Sequence, residues 1–185
     1  AFLINTTFGV SIYAVTGSEV AADLTTSAII APVVEEVLKS FAVLLVFLLA
    51  RREFDSILDG VIYAGVTALG FAATENAYYI YTYGYAEGGW SGLLNLVFVR
   101  VILVGWQHPF YTAFTGIGLA VARLNHNWLV KIAAPLAGLA IGITAHAFHN
   151  TLASLLSGAG VLVGFFFDWS GWLAMFIFIL VMVNR

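Results

Sequence analysis

The chain contains no cysteine, so disulfides and thiolate metal sites are excluded. Charge is scarce as well. Only 9% of the 185 residues are Asp, Glu, Lys or Arg, against 62% hydrophobic. Soluble domains carry about 25% charged residues. With a mean hydropathy of +0.98, the chain reads as an integral membrane protein. The net charge of −3 argues against a nucleic-acid partner. No HExxH helix occurs, so the usual metalloprotease motif is missing, and no GxSxG or aspartate-based intramembrane motif stands out. Ala1–Asp23 lacks the basic start and long apolar core of a signal peptide. With Ala in first place, the expectation is an internal part of a longer protein.

What is present is a series of apolar stretches long enough to cross a bilayer as helices of about 20 residues. The expected fold is an all-α polytopic transmembrane bundle of about five spans: Thr25–Ala50, Ile57–Tyr81, Leu93–Arg123, Trp128–Leu156 and Val161–Val183. Asp168, Ser170 and Gly171 interrupt the last. This divides the chain into a lead-in over 1–24 (extracytoplasmic or interfacial), a four-span core over 25–156 and a C-terminal span over 157–185. Arg51, Arg52, Arg123, Lys131 and Arg185 fall in alternate connections or at the end. The positive-inside rule makes those connections cytoplasmic. Ala1–Asp23, Thr82–Gly92 and Ser157–Gly160 are then extracytoplasmic, and the tyrosines from Tyr78 to Tyr85 with Trp90 suit an outer aromatic belt. Gly138/Gly142 and Gly160/Gly164 have the small-xxx-small spacing that permits close helix packing.

The informative residues are ionisable groups inside these spans. Each charge near the bilayer centre costs roughly 2.5–3.5 kcal/mol even on lenient scales. Glu35 and Glu36 are adjacent in the first span, and Lys39 follows at i+4 and i+3. A local ion pair accounts for Glu35 and Lys39 but leaves Glu36 unexplained. Adjacent carboxylates disfavour each other's ionisation, so one can stay charged while the other holds a proton, which suits water activation. Pro32, one turn earlier, removes a backbone hydrogen bond and predicts a kink. Glu75 shares a face with Phe71, has Arg100 as a candidate partner and is followed by Asn76. His108 precedes Pro109, with Thr112 one turn on. His146 and Asn150 share a face and together can hold a developing oxyanion. His149 reads as a supporting or structural residue, and His126 as a loop residue. At about 1.5 Å per residue, these groups lie roughly 10–20 Å below the outer ends of their spans. They can share one layer around a water-filled cavity open to the extracytoplasmic side. Glu35, Glu36, Glu75, His108 and His146 could also bind Zn²⁺ there.

Four segments in order complete the pattern: EExxK at Glu35–Lys39, FxxxEN at Phe71–Asn76, HxxxT at His108–Thr112 and HxxxN at His146–Asn150. Together the chain resembles the PrsW family of intramembrane proteases. That family is related to the CAAX-type prenyl endopeptidases and to a non-catalytic subunit of gamma-secretase. The resemblance covers roughly Ala31–Leu155. It implies a multi-pass cell-membrane endopeptidase acting on a membrane-anchored protein, such as site-1 cleavage of a single-span anti-sigma factor. It further implies Glu35 as general base; in the mechanism expected from this, Glu36 would tune the pKa of Glu35 or position the water, and His146 with Asn150 would stabilise the oxyanion. His108 would orient water or protonate the leaving amine, Glu75 would set a histidine tautomer, and Lys39 and Arg100 would balance charge, with Asn76 and Thr112 in support. CAAX-type relatives usually carry His where Glu75 stands. The expectation is a metal-free glutamate protease, with a zinc enzyme built on the same residues as its alternative. A non-catalytic scaffold subunit and a proton-coupled transporter are the readings from other classes. The nearly apolar inner half, as in Phe41–Ala50 and Gly116–Ala122, disfavours a transport path.

Overall fold

The computed structural model describes residues 1–184, without the side chains of residues 156–158 and 161. Arg185, counted above among the orienting basic residues, lies outside the described residues. So do the side chains of Leu156, Ser157, Gly158 and Val161, which mark the expected connection between the last two spans. The regular structure of the described residues is helical throughout: α1 (Phe2–Thr16), α2 (Glu19–Thr25), α3 (Ala31–Leu49), α4 (Ile57–Tyr79), α5 (Ala86–Val97), α6 (Gln107–Leu124) and α7 (Trp128–Val183). Three helical stretches are long and apolar enough to cross a membrane, Ile57–Leu124, Trp128–Leu155 and Leu162–Val183. The protein is a helical membrane bundle.

The first of these runs folds back on itself. Gly60 near the start of α4 abuts Gly116 of α6 so closely that a Cβ on either would overlap the other's carbonyl. The reversal falls at Gly89, whose φ of 57° is open to glycine without strain. The expected outer connection Thr82–Gly92 is therefore largely helical, a π-helical stretch Ile80–Tyr85 running into α5. α7 also doubles back. His149 lies 2.7 Å from Asp168 and the rings of Phe148 and Phe167 are 5.0 Å apart, so the chain reverses between His149 and Phe167. The lead-in is helical too. α1 is only 15 residues, about 22 Å long, and its Phe2 ring packs 4.9 Å from Tyr78.

Local sequence accounts for the helix ends that matter to the site. Ser56 and Asp59 form a reciprocal capping box at the start of α4, and Asn127 accepts from the Leu129 amide at the start of α7. A wide π turn, Thr26–Ile30, precedes α3, where the sequence predicts a kink. Pro32 has no amide proton for the Ala28 carbonyl, and the turn widens there. The third span departs from the expected continuous helix. It passes through a π-helical stretch Phe98–Leu103, breaks at residues 104–106 and restarts at Gln107. Pro109 cannot donate to the Gly105 carbonyl, but it is tolerated in a first helical turn. His108 thus sits at the start of α6, not in mid-helix.

Burial is inverted relative to a soluble protein. Leu49 is 88% exposed and Trp90 69%, while Glu36 is 0% and Lys39 1% exposed. Many apolar side chains face the surface, while Glu35, Glu36, Lys39 and His108 are held in the interior. The apolar core is small: Val43, Ala64 and Leu119, with Phe47 against them.

Candidate active site

Helical spacing on α3 turns Glu35, Glu36 and Lys39 inward together, and all three are buried. Glu36 is fully engaged. Its Oε1 accepts from Lys39 Nζ at 2.8 Å and from His146 Nδ1 at 3.0 Å, and its Oε2 accepts from the Thr112 hydroxyl at 2.9 Å. One carboxylate thereby ties α3 to α6 and α7. Gly142, one turn before His146, lets this contact form: a Cβ there would press on the Tyr111 carbonyl. Gly138 packs on α6 in the same way at Phe114, as the small-residue spacing predicts.

Glu35 is different. Its Oε2 is buried and has no hydrogen-bond partner. Its nearest polar neighbours are Lys39 Nζ at 3.7 Å and His146 Nε2 at 4.0 Å. Because His146 donates through Nδ1 to Glu36, its Nε2 carries the lone pair on the Glu35 side.

His108 is set in the same manner. Lys39 has only protons to give, so His108 Nδ1 accepts from it at 2.8 Å. The ring's Nε2 then bears the proton and lies 3.1 Å from Glu75 Oε2. Arg100 closes the chain of charges at 3.2 Å from the same Glu75 oxygen, and its Nε donates to Asn76 Oδ1 at 2.8 Å. The expected Glu75–Arg100 pair is therefore present, and Asn76 binds Arg100. Phe71 stands under Lys39, with the ammonium 4.4 Å from the ring centroid, a cation–π contact. Asn150 makes a different contact. Its amide donates to the Ser27 carbonyl in the π turn at 2.9 Å.

Three residues matter more than their sequence context indicates. Tyr111 stacks on His146, ring centroids 5.1 Å apart and planes 23° apart. Its hydroxyl donates to Asp168, which lies 2.7 Å from His149 Nδ1. Asp168, read from sequence as an interruption, is 2% exposed and braces the ring face of His146 through Tyr111. Its signal was available, since an ionisable residue in an apolar span is a site candidate by default. His149, expected to be supporting or structural, belongs to this brace.

Glu35, His108 and His146 each offer one ligand atom, all within 4.8 Å of one another. One carboxylate and two imidazoles make a donor set found in catalytic zinc sites. Each histidine is backed by a further carboxylate, Glu36 behind His146 and Glu75 behind His108, as metal-ligating histidines commonly are. With an unpartnered buried carboxylate oxygen at the focus, these residues fit a divalent metal. His108 Nδ1 is the one donor that a metal would have to take from a neighbour, Lys39.

Fold and site together define a helical membrane protein with a buried Glu/His centre. The chain belongs to the PrsW family: the family model described as PrsW family intramembrane metalloprotease matches residues 1–183. It is also 30% identical over 97 residues to "Protease PrsW" of Oceanobacillus iheyensis. That match takes in 52% of this chain and 40% of the relative's length, so the chain spans well under half of the curated relative. No solved structure matches.

Proposed function

We propose that this protein is an intramembrane endopeptidase that hydrolyses a peptide bond in a membrane-anchored protein, using water activated at Glu35. The observation that carries the reading is the buried Glu35 carboxylate oxygen, unpartnered beside two imidazoles, in a chain of this family. In this reading Glu35 takes a proton from water, which general-base catalysis makes worth about 10²–10⁴-fold in rate. Glu36, with its acceptors filled, holds His146 and Lys39 in place. Asn150 faces the developing oxyanion, giving one amide proton to Ser27 and keeping a second to offer; His146 joins it once its Nε2, a lone pair in the resting site, has taken up a proton. His108 parts from Lys39, takes up at Nδ1 the proton that Glu35 has drawn from water and passes it to the leaving amine, while Glu75 and Arg100 hold the ring through Nε2. The cavity opens to the extracytoplasmic side, and the substrate class includes a single-span anti-sigma factor cut at its first site.

A second reading is favoured by the donor set and by the family's description as metalloproteases. Glu35, His108 and His146 would hold Zn²⁺, which would polarise the scissile carbonyl and ease deprotonation of water. Lys39, Glu36 and Glu75 would then orient the ligands rather than meet substrate.

The test is cleavage of tagged single-span substrates by purified protein, comparing wild type with Glu35→Gln, each with and without a strong chelator. Loss in the variant alone supports a metal-free glutamate protease. Loss under chelation as well, restored by Zn²⁺, supports the zinc site. Wild-type cleavage that survives Glu35→Gln at full rate would sink both.

A further inference from the structure

An apolar opening of the bundle lies away from the Glu/His centre. It is a cavity of about 570 Å³ between α3, α6 and α7, within the roughly 300–1,000 Å³ range of small-molecule sites. Its walls are apolar, with Phe41 and Leu44 on one side and Leu136 on the other. Its mouth is basic: Arg51, Arg123 and Lys131 all line it and all are exposed. Among the described residues none of the three has a carboxylate within salt-bridge distance. Arg123 instead turns its Nε towards the Arg51 carbonyl at 3.5 Å, drawing the two ends together. The opposite end is closed by a hydrogen bond between Ser40 and Thr115 at 2.9 Å.

The length of the groove identifies its occupant. From Ser40 to Arg51 is about 16 Å of helix, close to half of the roughly 30 Å hydrocarbon core. The groove therefore reaches from one membrane surface to the midplane and stops. A transmembrane peptide would cross both leaflets, whereas a lipid acyl chain occupies one. Three uncompensated cations stand where that leaflet's headgroups lie, and the positive-inside rule makes the leaflet cytoplasmic. Basic pockets between transmembrane helices on that side bind anionic headgroups.

We propose that this groove is a binding site for an anionic phospholipid of the cytoplasmic leaflet. Its phosphate pairs with Arg51, Arg123 and Lys131, and one acyl chain lies along α3 and α6 up to the Ser40–Thr115 pair. The lipid becomes part of the wall beneath the Glu/His layer, filling a gap that helix packing leaves open. The inference does not depend on the chemistry proposed above.

The test is native mass spectrometry of the chain released from nanodiscs of equal phosphatidylglycerol and phosphatidylcholine. Wild type should retain phosphatidylglycerol selectively. The triple variant Arg51→Gln/Arg123→Gln/Lys131→Gln should lose that retention by roughly 100-fold, at the usual worth of a basic side chain near an anionic surface. Arg52→Gln, outside the groove, should retain it. Leu136 is 61% exposed, so Leu136→Trp can fill the groove without disturbing a packed core, and it should expel the lipid with all three charges intact. Equal retention of both lipids, or wild-type retention in the triple variant, overturns the site. Wild-type retention in Leu136→Trp overturns the acyl-chain placement and with it the groove as the binding site.

Discussion

The same three helices, α3, α6 and α7, solve two problems in two parts of the bundle. On one side of the Ser40–Thr115 pair they carry Glu35, Glu36, Lys39, His108, Thr112 and His146, held by contacts as short as 2.8 Å. On the other side they carry Val43, Leu119 and Phe47 and leave a groove between them. The polar half is the better filled, although its side chains are the more costly to bury. In an apolar solvent the hydrophobic effect does little to draw leucines together, because lipid chains serve equally well as neighbours. An unpartnered charge has no such alternative. The polar half is therefore tightly specified, and the apolar half can leave space for lipid.

Substitutions across the two halves can sharpen or break this contrast. The largest effect is expected at Glu35: Glu35→Gln should lower turnover by about 10²–10⁴-fold while leaving the thermal midpoint near wild type, because no hydrogen bond is lost at its Oε2. A marked fall in that midpoint would show that Glu35 is structural. Its neighbour should behave in the opposite way. Glu36→Ala takes from Lys39 its nearer carboxylate and from His146 and Thr112 their buried acceptor, and should cost about 3–5 kcal/mol of stability, read as loss of folded protein in a denaturation series. If Glu36→Ala folds normally, the anchoring role assigned to its three donors is wrong. Asn150→Ala should reduce turnover by about 10²–10³ if the amide serves an oxyanion; unchanged turnover would leave it only the Ser27 contact. The smallest effect lies at the boundary of the two halves. A double-mutant cycle on Ser40→Ala and Thr115→Val should give a coupling of about 0.6 kcal/mol, the average for hydrogen bonds between membrane helices. A coupling several times larger would mean that this pair, not the carboxylate cluster, sets the packing of α3 on α6.

Much of this was legible from residue order. The helical membrane class followed from scarce charge and long apolar runs. The Glu75–Arg100 pair and the approach of Lys39 to Glu35 and Glu36 followed from the rule that intramembrane charges need partners. Other features left weaker traces. The break before His108 had Pro109 as a signal, but apolar composition continues across residues 98–106 and masks it. The brace formed by Tyr111, Asp168 and His149 joins positions 57 residues apart, and no helical spacing relates them. The basic groove was equally hidden: Arg51, Arg123 and Lys131 sit in a connection or at helix ends beside one, where the positive-inside rule alone explains them.

The sequence by itself determined the solvent in which this protein folds, the helices it forms and the ionisable groups that must meet inside. Those outcomes depend on composition and on periodicities of a few residues. Tertiary structure decided the difference between Glu35 and Glu36. Adjacent and chemically identical, they diverge because one points at Thr112, His146 and Lys39 together while the other has a buried oxygen with no donor. Which carboxylate is saturated and which is free depends on how three helices pack, and close approaches at Gly138 and Gly142 set how α7 lies on α6.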